Sequence, residues 1–323
     1  MRRPAISILL LITLLLPLQA YTWGFFAHQR INRLAVFTLP PELFGFYKKH
    51  IRYITENAVN PDRRRYAVAN EAARHYIDLD VYGDSALYKL PRYWQQALKK
   101  YGEDTLQANG IVPWHISLMK YQLTQAFKER NADRILRLST ELGHYVADAC
   151  VPLHTTRNYN GQLTGQRGIH AFWETRLPEL YSDSYDFFIG QPEYIAQPQL
   201  KAWQLVGSAH LALDSVLFFE KQLTQEFDEE KKYSYEIRSN QTTRVYSRAF
   251  SEAYSRKLNG QVERQMRLAI HTIASFWYTA WVDAGQPDLS TLGSPSAAEL
   301  QRLEMEKQEY EHGAHKPREE GVQ

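Results

Sequence analysis

Leu142-Gly143-His144-Tyr145-Val146-Ala147-Asp148-Ala149-Cys150-Val151-Pro152-Leu153-His154, followed by Gly168-Ile169-His170-Ala171-Phe172-Trp173-Glu174, is the stretch on which the reading of this chain turns. His144/Asp148 and His170/Glu174 are both i,i+4 pairs, so on a helix each pair projects from one face. Imidazole and carboxylate side chains grouped in this way supply part of a zinc shell. Two such pairs with His154 between them point to a multinuclear metal site.

Outward from this stretch the periodicity is helical. Apolar residues recur at i, i+3 and i+4 over residues 31–36, 118–127, 135–146, 203–219 and 262–282. Strand-like alternation is scarce. Breakers fall at Pro40-Pro41, Asn60-Pro61, Gly110 to Pro113, Asn160-Gly161 and Gly285 to Pro287. From Gly285 to Gln323 the chain is polar, and a frayed helix or a flexible tail is expected there. With no internal repeat, the economical fold is all-α, a single multi-helix domain over residues 23–284.

Residues 1–22 are set apart. Arg2 and Arg3 precede an apolar run over 5–16, then Pro17-Leu18-Gln19-Ala20. This is the pattern of a signal peptide, cut after Ala20 or after Thr22, with an uncleaved anchor as the alternative. The run is short for a membrane span, and no later stretch is long and apolar enough to be one. Export, secreted or periplasmic, is the expectation. Loss of Arg2 and Arg3 takes the formal charge from +2 to about zero. No bulk basic field is left for a polyanion, so no stable nucleic-acid partner is implied. Cys150 is the sole cysteine, which excludes an internal disulfide; its apolar neighbours suggest a buried small side chain.

More candidate ligands lie upstream. Asp62 follows Asn60-Pro61 at a turn; His75 opens His75-Tyr76-Ile77-Asp78; His28 closes Trp23-Gly24-Phe25-Phe26-Ala27-His28. Any one of these alone is more often a surface or capping residue. Together they make seven or more N/O ligands without cysteine, a donor set that suits zinc in catalytic rather than structural sites.

These motifs occur in one order: W-G-x3-H, the Asp62 turn, H-Y-I-D, H-x3-D-x5-H and H-x3-E. In that order they resemble the superfamily of zinc-dependent phospholipases C and fungal and plant single-strand-specific nucleases, over residues 23 to about 174, with a weaker helical match to about 284. The resemblance implies an all-α phosphodiesterase with three zinc ions, at least two of them retained. It gives Asp62, His75, His144 and Asp148 to the first. His154, His170 and Glu174 go to the second. The third takes the α-amine and carbonyl of Trp23, His28 and the other oxygen of Asp148, which bridges. Asp62 is also implied as the general base. Tyr76 and Asp78 are implied in substrate binding.

Two departures from the family pattern bear on this. Trp23 is the mature N-terminus only if the signal is cut after Thr22. Glu174 is the phospholipase residue, whereas W-G-x3-H and H-Y-I-D are nuclease-like. The expected substrate is a phosphodiester, either a phospholipid head group or a single-stranded nucleic acid, with a slight lean to the lipid. An exported zinc-binding protein without turnover is the reading from another class. Arg63-Arg64-Arg65 reads as a solvated face or a phosphate-steering patch. His115 reads as a wall residue and His271 as a satisfied core histidine.

Overall fold

The computed structural model describes residues 25–238 and 241–312. The chain is mostly helical, and all five periodic stretches are helices: α1 (Phe25–Val36), α2 (Val112–Lys128), α3 (Ala132–Asp148), α4 (Pro198–Glu226) and α5 (Gln261–Asp283). All five begin earlier than their apolar stripe suggests. Pro113 and Pro198 sit in the first turn, where a missing N–H costs nothing, so they start helices rather than break them. At α3 the Asn131 side chain accepts from the Arg134 N–H at 3.0 Å, satisfying one of the free donors of the first turn.

Helices α2 and α3 form an antiparallel pair joined by the tight turn at Arg130, and α5 packs across both and against α1. Trp277 of α5 lies within this core. Its ring stacks on Tyr47 at 4.8 Å and its indole N–H donates to Ser139 O at 2.9 Å. Burying an aromatic of this kind contributes about 2–3 kcal/mol, and the hydrogen bond removes the cost of an orphan donor. The consequence for the site is a fixed α1–α3 crossing.

The structure departs from the sequence reading in two places. A hairpin, β1 (Tyr233–Arg238) with β2 (Gln241–Tyr246), pairs antiparallel from Tyr233 opposite Tyr246 to Arg238 opposite Gln241. Its strands are too short for alternation to stand out, and its anchorage is tertiary. Arg176 donates to both oxygens of Glu236 at 2.9 and 2.6 Å, and Tyr246 stacks on Phe172 at 3.8 Å.

The polar tail is the second departure, in part: one of the two expected forms, a helix, is present, but it is docked. The chain turns at Gly285 and Gln286, buries Leu289, and forms α6 (Ala297–His312). Glu299 of α6 is buried and accepts from Tyr53 Oη at 2.7 Å. Hydrogen bonds from Trp281 to Pro287 O, from Lys49 to Leu292 O and from Ser296 N to Asp133 add to these in docking a segment whose composition is otherwise polar. Residues 313–323, like the 1–22 segment, lie outside the described residues. Among the described residues, no helix is long and apolar enough to cross a membrane.

Candidate metal centre

Gly143 fixes the first part of the site. A Cβ there would fall 1.8 Å from Asn32 Oδ1, so glycine lets α1 cross α3 closely. Asn32 Nδ2 then donates to Thr140 O at 3.3 Å. One turn before Asn32, His28 stacks on His144 with ring centroids 3.8 Å apart, its Nε2 3.3 Å from Asp148 Oδ1. His144 Nδ1 donates to Ala58 O at 2.8 Å, which turns Nε2 toward the carboxylates. That Nε2 lies 3.2 Å from Asp148 Oδ2 and 3.6 Å from Asp62 Oδ1.

Asp62 sits in a short helix, Asn60–Arg64, rather than an open turn. His75 follows a 3-10 turn over Ala72–Arg74, and its Nδ1 is 2.9 Å from Asp148 Oδ2. The two oxygens of Asp148 therefore face different partners: Oδ2 faces His75 and His144, and Oδ1 faces His28.

Helix α3 stops after Asp148 because Pro152 follows. Val151 is extended, as a residue before proline tends to be. The 3-10 turn Pro152–Thr155 brings His154 back over the site, and its Nδ1 donates to His75 O at 2.8 Å. His154 Nε2 is thereby left facing His170 Nε2 at 3.2 Å and Glu174 Oε2 at 3.6 Å. Glu174 Oε2 is 2.8 Å from His170 Nε2. This second i,i+4 pair is not on a plain α-helix, because Phe172–Arg176 winds as a π-helix. Pro178 supplies the reason: its ring would press on the carbonyl of Glu174 in an α-turn, and a wider turn relieves that clash.

Among the described residues, three groups bring ligand atoms within 4.8 Å of one another: His28/His144/Asp148, Asp62/His75/His144 and His154/His170/Glu174. All are buried and could hold metal ions. His144 belongs to two of the groups, whereas the family pattern gives it to one. Trp23 lies outside the described residues. Tyr76 and Asp78 are buried beside His75 but join none of the groups. Tyr76 packs beneath Gly110, whose Cβ would fall 2.2 Å from the Tyr76 carbonyl oxygen.

The electrostatics favour ionised carboxylates within the groups. Burial alone would raise the Asp148 carboxyl, but His144 and His154 beside it hold it well below the usual carboxylate range. Asp62 is lowered likewise, with burial opposing and His144, His28 and His75 favouring its charge. Burial lowers His28 and His75, keeping them neutral as ligands must be. His144 is opposed by burial yet pushed up to about 10 by Asp148 and Asp62, so one imidazolium proton stands in for positive charge. Asp62 Oδ2 is buried and makes no hydrogen bond. A donor set of imidazoles and ionised carboxylates with a spare buried oxygen fits a divalent metal, which would displace the His144 proton on binding.

The sequence reading passed over Glu71 and took Arg63-Arg64-Arg65 as a solvated face or a phosphate-steering patch. None of the three arginines 63–65 is a solvated face. Arg64 bonds Glu141 and Tyr145; Arg65 is buried with Nη1 3.6 Å from Asp62 Oδ1; Arg63 lies over the Phe25 ring. Glu71 is wholly buried among Arg64, Arg74, Tyr145 and His75. Burial raises its pKa, and the neighbouring Arg64, His75 and Arg74 overcome that to leave it at about 2. The available signal was its i,i+4 spacing to His75. Of the residues set aside, His115 is buried against Tyr145 outside the groups, and Cys150 is buried. His271 differs from its core reading: it is partly exposed and meets Gln191 O at 3.2 Å.

No family model matches the chain, and no curated protein matches it in sequence. The fold and site therefore define a class only: a mostly helical protein with buried histidine–carboxylate clusters able to hold metal.

Proposed function

We propose that this chain is an exported zinc-dependent hydrolase of phosphoric diesters. The observation that carries this reading is the convergence of three buried ligand groups, two of them meeting at His144 and at the two oxygens of Asp148. Zinc suits the N/O donors better than calcium or magnesium, which prefer oxygen alone. Asp62, His75, His144, Asp148 and His28 would hold one part of the centre, and His154, His170 and Glu174 the other. When bound, the metal supplies Lewis acidity toward the phosphoryl group and a water acidic enough to ionise near neutral pH.

The protein's own contribution is placement and proton handling. Asp62 keeps one oxygen without a hydrogen bond, so it can take a proton from attacking water. His144, His28 and His75 keep that carboxylate ionised, and Arg65 stands 3.6 Å from it. The hydrogen bonds from His144 to Ala58 and from His154 to His75 fix both rings before substrate arrives.

Phospholipid head groups stand ahead of single-stranded nucleic acid as substrate. Glu174 and the near-zero mature charge support this. So does Tyr76, which is only 7% exposed and offers little open face to a stacking base. The test is zinc content per chain, then rates on bis-p-nitrophenyl phosphate, phosphatidylcholine and single-stranded DNA. Zinc with lipid turnover is expected. Faster DNA cleavage would move the substrate to the nuclease side. Zinc without any turnover would mean an exported metal-binding protein, and absence of both would sink the proposal.

A further inference from the structure

We infer that Glu71 is a positioning residue for His75, holding the ring proton on Nε2 so that Nδ1 faces the metal group. The inference rests on the metal reading above and adds a residue to it. His75 Nδ1 is turned to Asp148 Oδ2 at 2.9 Å and to His144 Nε2 at 3.1 Å. An imidazole that ligates through Nδ1 keeps its proton on Nε2. That Nε2 is buried and makes no hydrogen bond, and Glu71 Oε1 faces it at 3.8 Å. An approach of about 1 Å converts this into a hydrogen bond.

Glu71 is held for the task. Tyr145 Oη donates to Oε1, Arg74 Nη1 donates to Oε2 at 2.6 Å, and Arg64 Nη2 stands 3.5 Å from Oε1. The Tyr145 ring meets His75 and His144 edge-on, at 5.3 and 5.5 Å between centroids. The carboxylate that faces His75 and the ring that walls both histidines are therefore one hydrogen-bonded unit. A plain ion pair with Arg74 would occupy Oε2 alone and leave Oε1 free to turn away.

The experiment compares the wild-type mature protein with Glu71→Gln, Glu71→Asp and Arg74→Gln. Zinc affinity is measured by chelator competition, and the His75 tautomer by nitrogen NMR of histidine-labelled protein with and without zinc. For Glu71→Gln we expect roughly 10–100-fold weaker binding of one zinc, together with loss of the pure Nε2–H tautomer. Glu71→Asp, which keeps the charge but withdraws it, should fall between, and it serves if the glutamine variant does not fold. Arg74→Gln, which removes one of the groups that hold Glu71, should shift affinity and tautomer in the same direction by less than Glu71→Gln. Wild-type affinity and tautomer in the Glu71 variants would overturn the inference and leave Glu71 as an ion-pair partner only. If wild-type protein binds no zinc, the metal reading fails and the inference falls with it, an outcome distinct from wild-type zinc binding with unchanged Glu71 variants, which overturns the inference alone.

Discussion

The two halves of the centre are built in opposite ways. His154, His170 and Glu174 come from one stretch of chain, and their geometry is set by local devices: Pro152, the 3-10 turn, and the π-helix ahead of Pro178. His28, Asp62, His75, His144 and Asp148 come from four separate segments, and the close crossing of α1 over α3 at Gly143 brings His28 to His144 and Asp148. A locally wound site depends on turn chemistry, whereas an assembled one depends on packing far from the ligands. The assembled half is accordingly backed by a buried charged network around Glu71, and the local half by an aromatic stack and the hairpin.

The sharpest way to break this comparison is Asp148→Asn, which weakens the carboxylate shared within the assembled half. Loss of metal there should slow phosphodiester hydrolysis by on the order of 10³-fold, several kcal/mol of transition-state stabilisation. Rates on bis-p-nitrophenyl phosphate measure it, and an unchanged rate would refute the role of Asp148. Glu174→Gln touches only the local half. It should release zinc from the His154/His170 group while the assembled half retains its own, with a drop of roughly 10²-fold. Metal analysis showing proportional loss from both halves would mean the two are not separable.

Gly143→Ala probes packing without touching a ligand. The added methyl must displace Asn32, and overpacking of this kind costs about 1–3 kcal/mol. Denaturant unfolding should show the loss, and Asn32→Ala in the same chain should restore part of it. Lack of any rescue would argue against the α1–α3 crossing as the cause.

The smallest effect is in pH dependence. Burial lowers His115 from 6.5 to about 3, so the unfolded chain takes up a proton that the folded chain refuses across this window. Its neutral-state contribution to stability is present above pH 6.5 and lost as pH falls toward 3. By pH 5 the loss is about 2 kcal/mol. His115→Phe should flatten that part of the stability profile, measured as ΔG of unfolding between pH 7 and 4; an identical slope would remove His115 from the acid response.

The helices and most of the candidate ligands were legible in the sequence because both rest on short-range spacing. Periodicity marked α1 to α5, and i,i+4 pairs marked His144/Asp148 and His170/Glu174. The hairpin was hidden because its two short strands gain their stability from Arg176 and Phe172, far away in sequence. Docking of 285–312 was hidden for a like reason: Leu289 and Glu299 find their partners in the helical body. Arg63-Arg64-Arg65 looked solvated because a charge run says nothing of the carboxylates that fold around it. Glu71 showed only a spacing, and its burial supplied the meaning.

By itself, then, the sequence determined an all-α chain and a set of ligand types, since helical period and donor chemistry are properties of neighbouring residues. Only the tertiary structure decided which ligands share a group, which nitrogen of each histidine faces inward, and which charges are buried behind them. Those depend on distances between segments as much as 120 residues apart, and close packing at a single glycine, Gly143, sets the approach of His28 to His144.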